Sequence, residues 1–191
     1  MFSTFAAYDQ KLRADLGELS SPKLLFFGMW CTDHLYTKYA AQLIEKEEDY
    51  QQEYNVLIDI ISYLWAVADN PSLYELSIAE EHMRKLCDID VAFDFTSSTD
   101  RGIMKAMEGM ESVLRYFKNK ELKYITANGF FQLDVIDVIL HNDLGLTLDN
   151  ENDPDRYMEH PIIQEELDVQ FKMIEYLKTH EVTSEDKHLF R

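Results

Sequence analysis

Apolar residues recur along this chain at steps of three and four, the spacing that lines one face of an α-helix. Phe2, Phe5, Leu12 and Leu16 predict a short opening helix ending near Gly17. Ser21 followed by Pro22 reads as a helix start, a side-chain cap and then a residue whose φ is already helical. From there Leu24, Leu25, Phe27, Met29, Trp30 and Cys31 are apolar nearly all round, which predicts a central buried helix. It continues or kinks through Leu35, Tyr36 and Tyr39 toward Leu43 and Ile44. Tyr54, Leu57, Ile58, Ile61, Leu64, Trp65 and Val67 form a broad helical stripe that Asn70-Pro71-Ser72 breaks. Leu73, Leu76, Ala79, Met83 and Leu86 predict a further helix.

An acidic, irregular stretch over 88–94 follows, with an extended segment expected at Val91, Phe93 and Phe95. Ser97, Ser98, Thr99 and Asp100 then cluster as capping residues ahead of the cleanest amphipathic pattern, Ile103, Met107, Met110, Leu114 and Phe117. A last pair of helices is expected around 130–141 and 161–177, separated by an acidic loop over 147–159. The polar tail over 179–191 is expected to fray. With six glycines and four prolines there is too little punctuation for a many-stranded sheet, and no repeat or linker divides the chain. The expected fold is all-α, residues 1–191 forming one helical bundle of six to eight helices.

Charge narrows the function. Lys and Arg number 18 against 36 Asp and Glu, so the formal charge is −18 and neither a nucleic-acid groove nor anionic lipid is an expected partner. Yet 46% of residues are hydrophobic and 13% aromatic, too many for a disordered acidic chain. Cys31 and Cys87 make no disulfide framework, no secretory leader opens the chain, and the longest apolar run is far shorter than the roughly 20 residues of a membrane helix. A cytoplasmic protein is expected.

Candidate chemistry is sparse. Asp134, Asp137 and His141 share one face of a helix, and two carboxylates with an imidazole are plausible ligands for a divalent metal. The plain alternative is the single wet side of a buried helix. The cluster Asp149, Asn150, Glu151, Asn152, Asp153 is rich in hard oxygens, but a calcium loop begun at Asp149 would hold Pro154 and His160 where glycine and glutamate are required. Cys31 and His34 share a face as nucleophile and base would, but no Lys or Arg adjoins the cysteine to favour a thiolate. His82, His160, His180 and His188 form no ligand set and read as surface residues. Phosphate cradles, nucleophile elbows and zinc signatures are absent, which lowers the expectation of an enzyme; no cofactor is expected.

What remains is the anionic surface. Glu47, Glu48 and Asp49 lie beside Tyr50 and Tyr54, and Asp88, Asp90 and Asp94 form a second group. Tyrosines give contact area at low entropic cost, and carboxylates pair with Lys or Arg across an interface. These eight residues are the expected contact surface for a basic protein partner. A basic nuclease-type toxin would fit, which makes the chain a bacterial immunity protein; alternatives are a metal-dependent enzyme using Asp134, Asp137 and His141, or a helical scaffold whose apolar groove binds another helix.

Two segments also carry a likeness. Leu25-Phe26-Phe27-Gly28-Met29-Trp30 leads to Tyr36 and Tyr39, and His160-Pro161-Ile162-Ile163-Gln164-Glu165-Glu166 leads to Asp168-Val169-Gln170-Phe171. Through these the chain resembles the YjaG-like family of helical bacterial proteins of uncharacterised function. The resemblance implies an all-helical fold and no activity. Where that family tends to have Glu-Arg and then Pro-Asn-Tyr, this chain has Asp33-His34 and Thr37-Lys38-Tyr39.

Overall fold

Helix α1 (Phe5–Gly17) begins where the Thr4 side chain accepts the Ala7 N–H at 3.0 Å. Ser20, not Ser21, is the N-cap of helix α2 (Ser21–Leu35) and its side chain makes no cap bond; Pro22 stands in the first turn, where its missing N–H costs nothing. At the expected kink the backbone widens into a π turn, Tyr36–Ala40, before the single-turn helix α3 (Gln42–Lys46). Then come α4 (Gln51–Asp69), α5 (Leu76–Cys87), α6 (Ser98–Asn119), α7 (Leu122–Val138) and α8 (Pro161–Thr179). The structure, a computed structural model, describes residues 2–46, 50–145 and 154–191, and among these it is an all-α bundle without a strand. No described helix is long and apolar enough to cross a membrane.

Helices α2, α6 and α7 pack on one another most extensively; α1 and α8 cover α7, and α4 and α5 lie against α2 and α6. The three central helices approach closely because Gly109 of α6 has no side chain. A Cβ there would lie 2.6 Å from Thr32 Oγ1 and 3.0 Å from Asn128 Oδ1. Those two residues bond across the gap, Thr32 donating to Asn128 at 2.8 Å. Phe27, Met29 and Trp30 of α2 have no exposed surface, and each such side chain contributes about 1.5–3 kcal/mol by leaving water.

Four further local expectations are corrected. Val91, Phe93 and Phe95 form no strand; the first two lie half-buried on the core while Phe95 is 64% exposed. Helix α7 starts at Leu122, well before residue 130, because Lys120 adopts a left-handed φ of 55° and turns the chain back at once after α6. His82 is no surface residue: it is 8% exposed and lies against the Tyr63 ring. The polar tail, expected to fray, is docked. Its 3-10 turn, Ser184–His188, carries a capping box between Thr183 and Asp186 and lies on α2 and α4. Polar and ionic groups anchor it, so a search for apolar periodicity does not find them.

Candidate functional site

From Glu47 to Met83 the sequence contains no Lys or Arg. The described part of that run folds into α4, a 3-10 turn at Pro71–Leu73 and the first turns of α5. Where α5 regains cations they pair locally, Lys85 with Glu81 at 3.0 Å and Arg84 with Asp88 at 3.8 Å, while Lys118 of α6 reaches Glu80 at 3.0 Å. Glu53, Asp59, Glu75 and Asp90 pair with no described Lys or Arg. On α1, α6, α7 and α8, by contrast, Lys11 and Lys178 reach Asp15, Arg13 holds Asp9, and Lys105 holds both Glu108 and Asp134. The α4 stretch is thus distinguished by having no Lys or Arg of its own, although Glu165 and Asp168 of α8 also pair with no described cation.

A groove of about 220 Å³ opens between the start of α4 and the end of α5, lined by Gln52, Glu53, Val56, Lys85, Asp88 and Ile89. Val56 and Ile89 supply an apolar wall suited to the stem of a long cationic side chain. Glu53 Oε2 is buried there without a hydrogen-bond partner among the described residues. An unmet carboxylate oxygen beside an apolar wall favours a cation as occupant.

Of the expected contact residues, Asp88 lies in this groove and Asp90 is exposed just beyond it. Tyr50 and Tyr54 stand in the first turns of α4, half-buried against the core, so only part of each ring is left for a partner. Burial, and the Tyr54 hydroxyl beside it, push the pKa of the Tyr36 phenol upward. Asp94 is turned toward its own loop: its carboxylate accepts the Thr96 N–H at 2.8 Å and its own N–H donates to Asp100 at 2.7 Å. It shapes the entry to α6. Glu47, Glu48 and Asp49 lie outside the described residues, as does the oxygen-rich run from Asp149 to Asp153. Sequence reasoning missed Gln52, Glu53, Val56, Lys85 and Ile89, because nothing in the pattern of either helix says which faces meet.

Asp134, Asp137 and His141 do share an edge, but no open coordination site. Lys105, 9% exposed, places its ammonium 2.9 Å from Asp134 and 2.7 Å from Glu108, over the Phe131 ring. Asp137 lies 3.7 Å from His141. Burial raises the Asp137 pKa, with the His141 charge opposing and Asp134 adding to the shift. Among the described residues no three His, Cys, Asp or Glu side chains are placed to hold a metal ion.

Cys31 and His34 have the wrong chemistry for a nucleophile and its base. Burial drives the thiol pKa far above its ordinary range. Burial, Arg191 and Lys38 hold His34 down to about 3. Around them runs a buried polar chain instead. The Tyr8 hydroxyl lies 2.7 Å from Gln170 Oε1, and Gln170 Nε2 donates to the Gly129 carbonyl at 2.9 Å and to Glu166 at 2.8 Å. Arg191 completes it with two bonds to Glu166, at 2.6 and 3.2 Å. Trp30, Glu166 and Gln170 thus meet at one place, around the Arg191 guanidinium. No family model, no curated protein and no solved structure matches this chain.

Proposed function

We propose that this chain is a binding protein for a cationic protein partner and, within that class, an immunity protein that covers the basic active-site cleft of a nuclease-type toxin. The observation carrying the reading is the groove between α4 and α5, where Asp88 and Glu53 Oε2, the latter unpartnered among the described residues, flank an apolar wall beside a stretch without Lys or Arg from 47 to 83. In sequence Glu47, Glu48 and Asp49 precede α4. An anionic field speeds encounter with a positive surface, and the partner's phosphate-binding cleft supplies the matching charge. The reading places the protein in the cytoplasm, where an incoming nuclease would act.

The test is a titration of a basic nuclease domain encoded beside this gene, followed by residual nuclease activity. Stoichiometric loss of activity supports the reading; full activity at molar excess overturns it. A metal-dependent activity is the weaker reading, because an ammonium already occupies Asp134. A scaffold role draws on a second groove, about 280 Å³, between α5 and α6, lined by Tyr74, Leu76, Ala79, Met83 and Leu114. Helix capture there would be unaffected by charge reversal on α4, which separates the two.

A further inference from the structure

Two buried carboxylates of this protein, Asp33 and Glu166, each take a cation from residues 187–191 that also lies over an indole ring. Asp33, its side chain 7% exposed, accepts the Trp65 indole N–H at 2.8 Å. Lys187 lies over it, 3.7 Å from the carboxylate and 5.9 Å from the Trp65 ring centre. Glu166, 8% exposed, takes the two-pronged pair from Arg191, whose guanidinium sits 3.8 Å from the Trp30 ring centre. Lys187 and Arg191 are four residues apart. Carboxylate plus aromatic face is a strong recognition element for ammonium and guanidinium groups, and here it occurs twice at a fixed spacing.

We propose that residues 181–191 act as an internal ligand, a strap whose Lys187 and Arg191 fill two acid–indole sockets that a cationic segment of the binding partner takes over. The cationic partner is taken from the function proposed above. The strap has the properties of a displaceable element. Its remaining anchors are polar: Ser184 donates its N–H at 2.7 Å and its hydroxyl at 2.5 Å to Asp69, and Trp30 Nε1 donates to the Leu189 carbonyl at 3.0 Å. Its apolar share is small, since Val182 and Leu189 are half-buried and Phe190 is 42% exposed. Lys187, 33% exposed, is open to salt and competing cations, while the more buried Arg191–Glu166 pair is screened less.

The closed strap also stores strain. Phe190 has φ of 64°, a left-handed conformation unfavourable for any residue with a Cβ, and it is this turn that sends Arg191 inward. The pin at Asp69 is the last residue of α4, the helix that carries Glu53. Opening the strap uncovers three further carboxylates, Asp69, Asp33 and Glu166.

The chain has two tryptophans, so its two indole N–H signals report the two sockets directly. The experiment titrates the ¹⁵N-labelled protein with a synthetic amidated peptide carrying two arginines four residues apart, and repeats this with Lys187→Gln/Arg191→Gln. The proposal expects peptide binding to shift the Trp30 indole signal and release the amides of 183–191. It expects the double variant to bind the peptide about tenfold more tightly. Binding that leaves 183–191 and Trp30 unmoved, no binding to the double variant, or equal affinity for both proteins overturns it. A third protein, Glu53→Lys/Asp88→Lys/Asp90→Lys, separates the two proposals. If strap release persists with undiminished affinity, the sockets stand and the α4–α5 reading falls. If shifts are confined to the α4–α5 groove of the parent, the strap falls and that reading stands.

Discussion

The Trp65 indole N–H donates to the Asp33 carboxylate at 2.8 Å, joining α4 to α2 at a point where Asp33 is nearly closed off from water. Among the described residues, Lys187 at 3.7 Å and the Thr37 hydroxyl at 3.4 Å also reach that carboxylate. Trp65→Phe keeps most of the packing and removes the donor. Leaving a buried acceptor short of a bond costs about 1–3 kcal/mol, so the urea midpoint of Trp65→Phe falls accordingly, and Asp33→Asn/Trp65→Phe loses less than the sum of its two single variants.

His34 reports on the tail from beneath it. Burial first, then Arg191, depress its pKa to about 3, against an ordinary 6.5. Below about pH 6.5 the unfolded chain takes up a proton there that the native chain does not. This contribution to stability is therefore complete above pH 6.5 and is lost as pH falls toward 3. His34→Gln flattens that part of the pH–stability curve. Arg191→Ala removes one positive neighbour, so NMR titration of His34 shows its pKa rising, though not to the ordinary value, because burial is the larger cause.

Two glycines separate tolerable from intolerable crowding. A Cβ on Gly102 would lie 2.3 Å from the Tyr39 ring, a rigid plate held 5% exposed in the core. A Cβ on Gly28 would crowd the far end of Ile125, at 2.8 Å, and meet Val113 and Asn128 at ordinary contact distances of 3.5 and 3.6 Å. Alanine gains up to about 1 kcal/mol in helix propensity, while core overpacking costs about 1–3 kcal/mol. Gly102→Ala should therefore destabilise, by up to about 2 kcal/mol net of that gain, and Gly28→Ala should be near neutral, both read from thermal melts.

The helices were legible because their apolar spacing is regular: Ile103, Met107, Met110, Leu114 and Phe117 all fall within α6. The turn at Lys120 was not, because a left-handed residue is normally signalled by glycine. Nor was the docked tail. Its anchors, Ser184, Lys187 and Arg191, look like solvated polar residues in sequence, and their partners Asp69, Asp33 and Glu166 lie on three different helices. The acidic character of the candidate site was plain from composition, but the groove was not, because Glu53 and Asp88 meet only through the packing of α4 on α5.

The most direct measurement is the salt dependence of association between this protein and a basic nuclease domain encoded beside it, by stopped flow, for the parent and for Glu53→Lys/Asp88→Lys/Asp90→Lys. An anionic docking side predicts an association rate that falls steeply with salt, and at least a tenfold slower rate for the reversed-charge protein at low salt. A rate that ignores both salt and charge reversal would contradict the account.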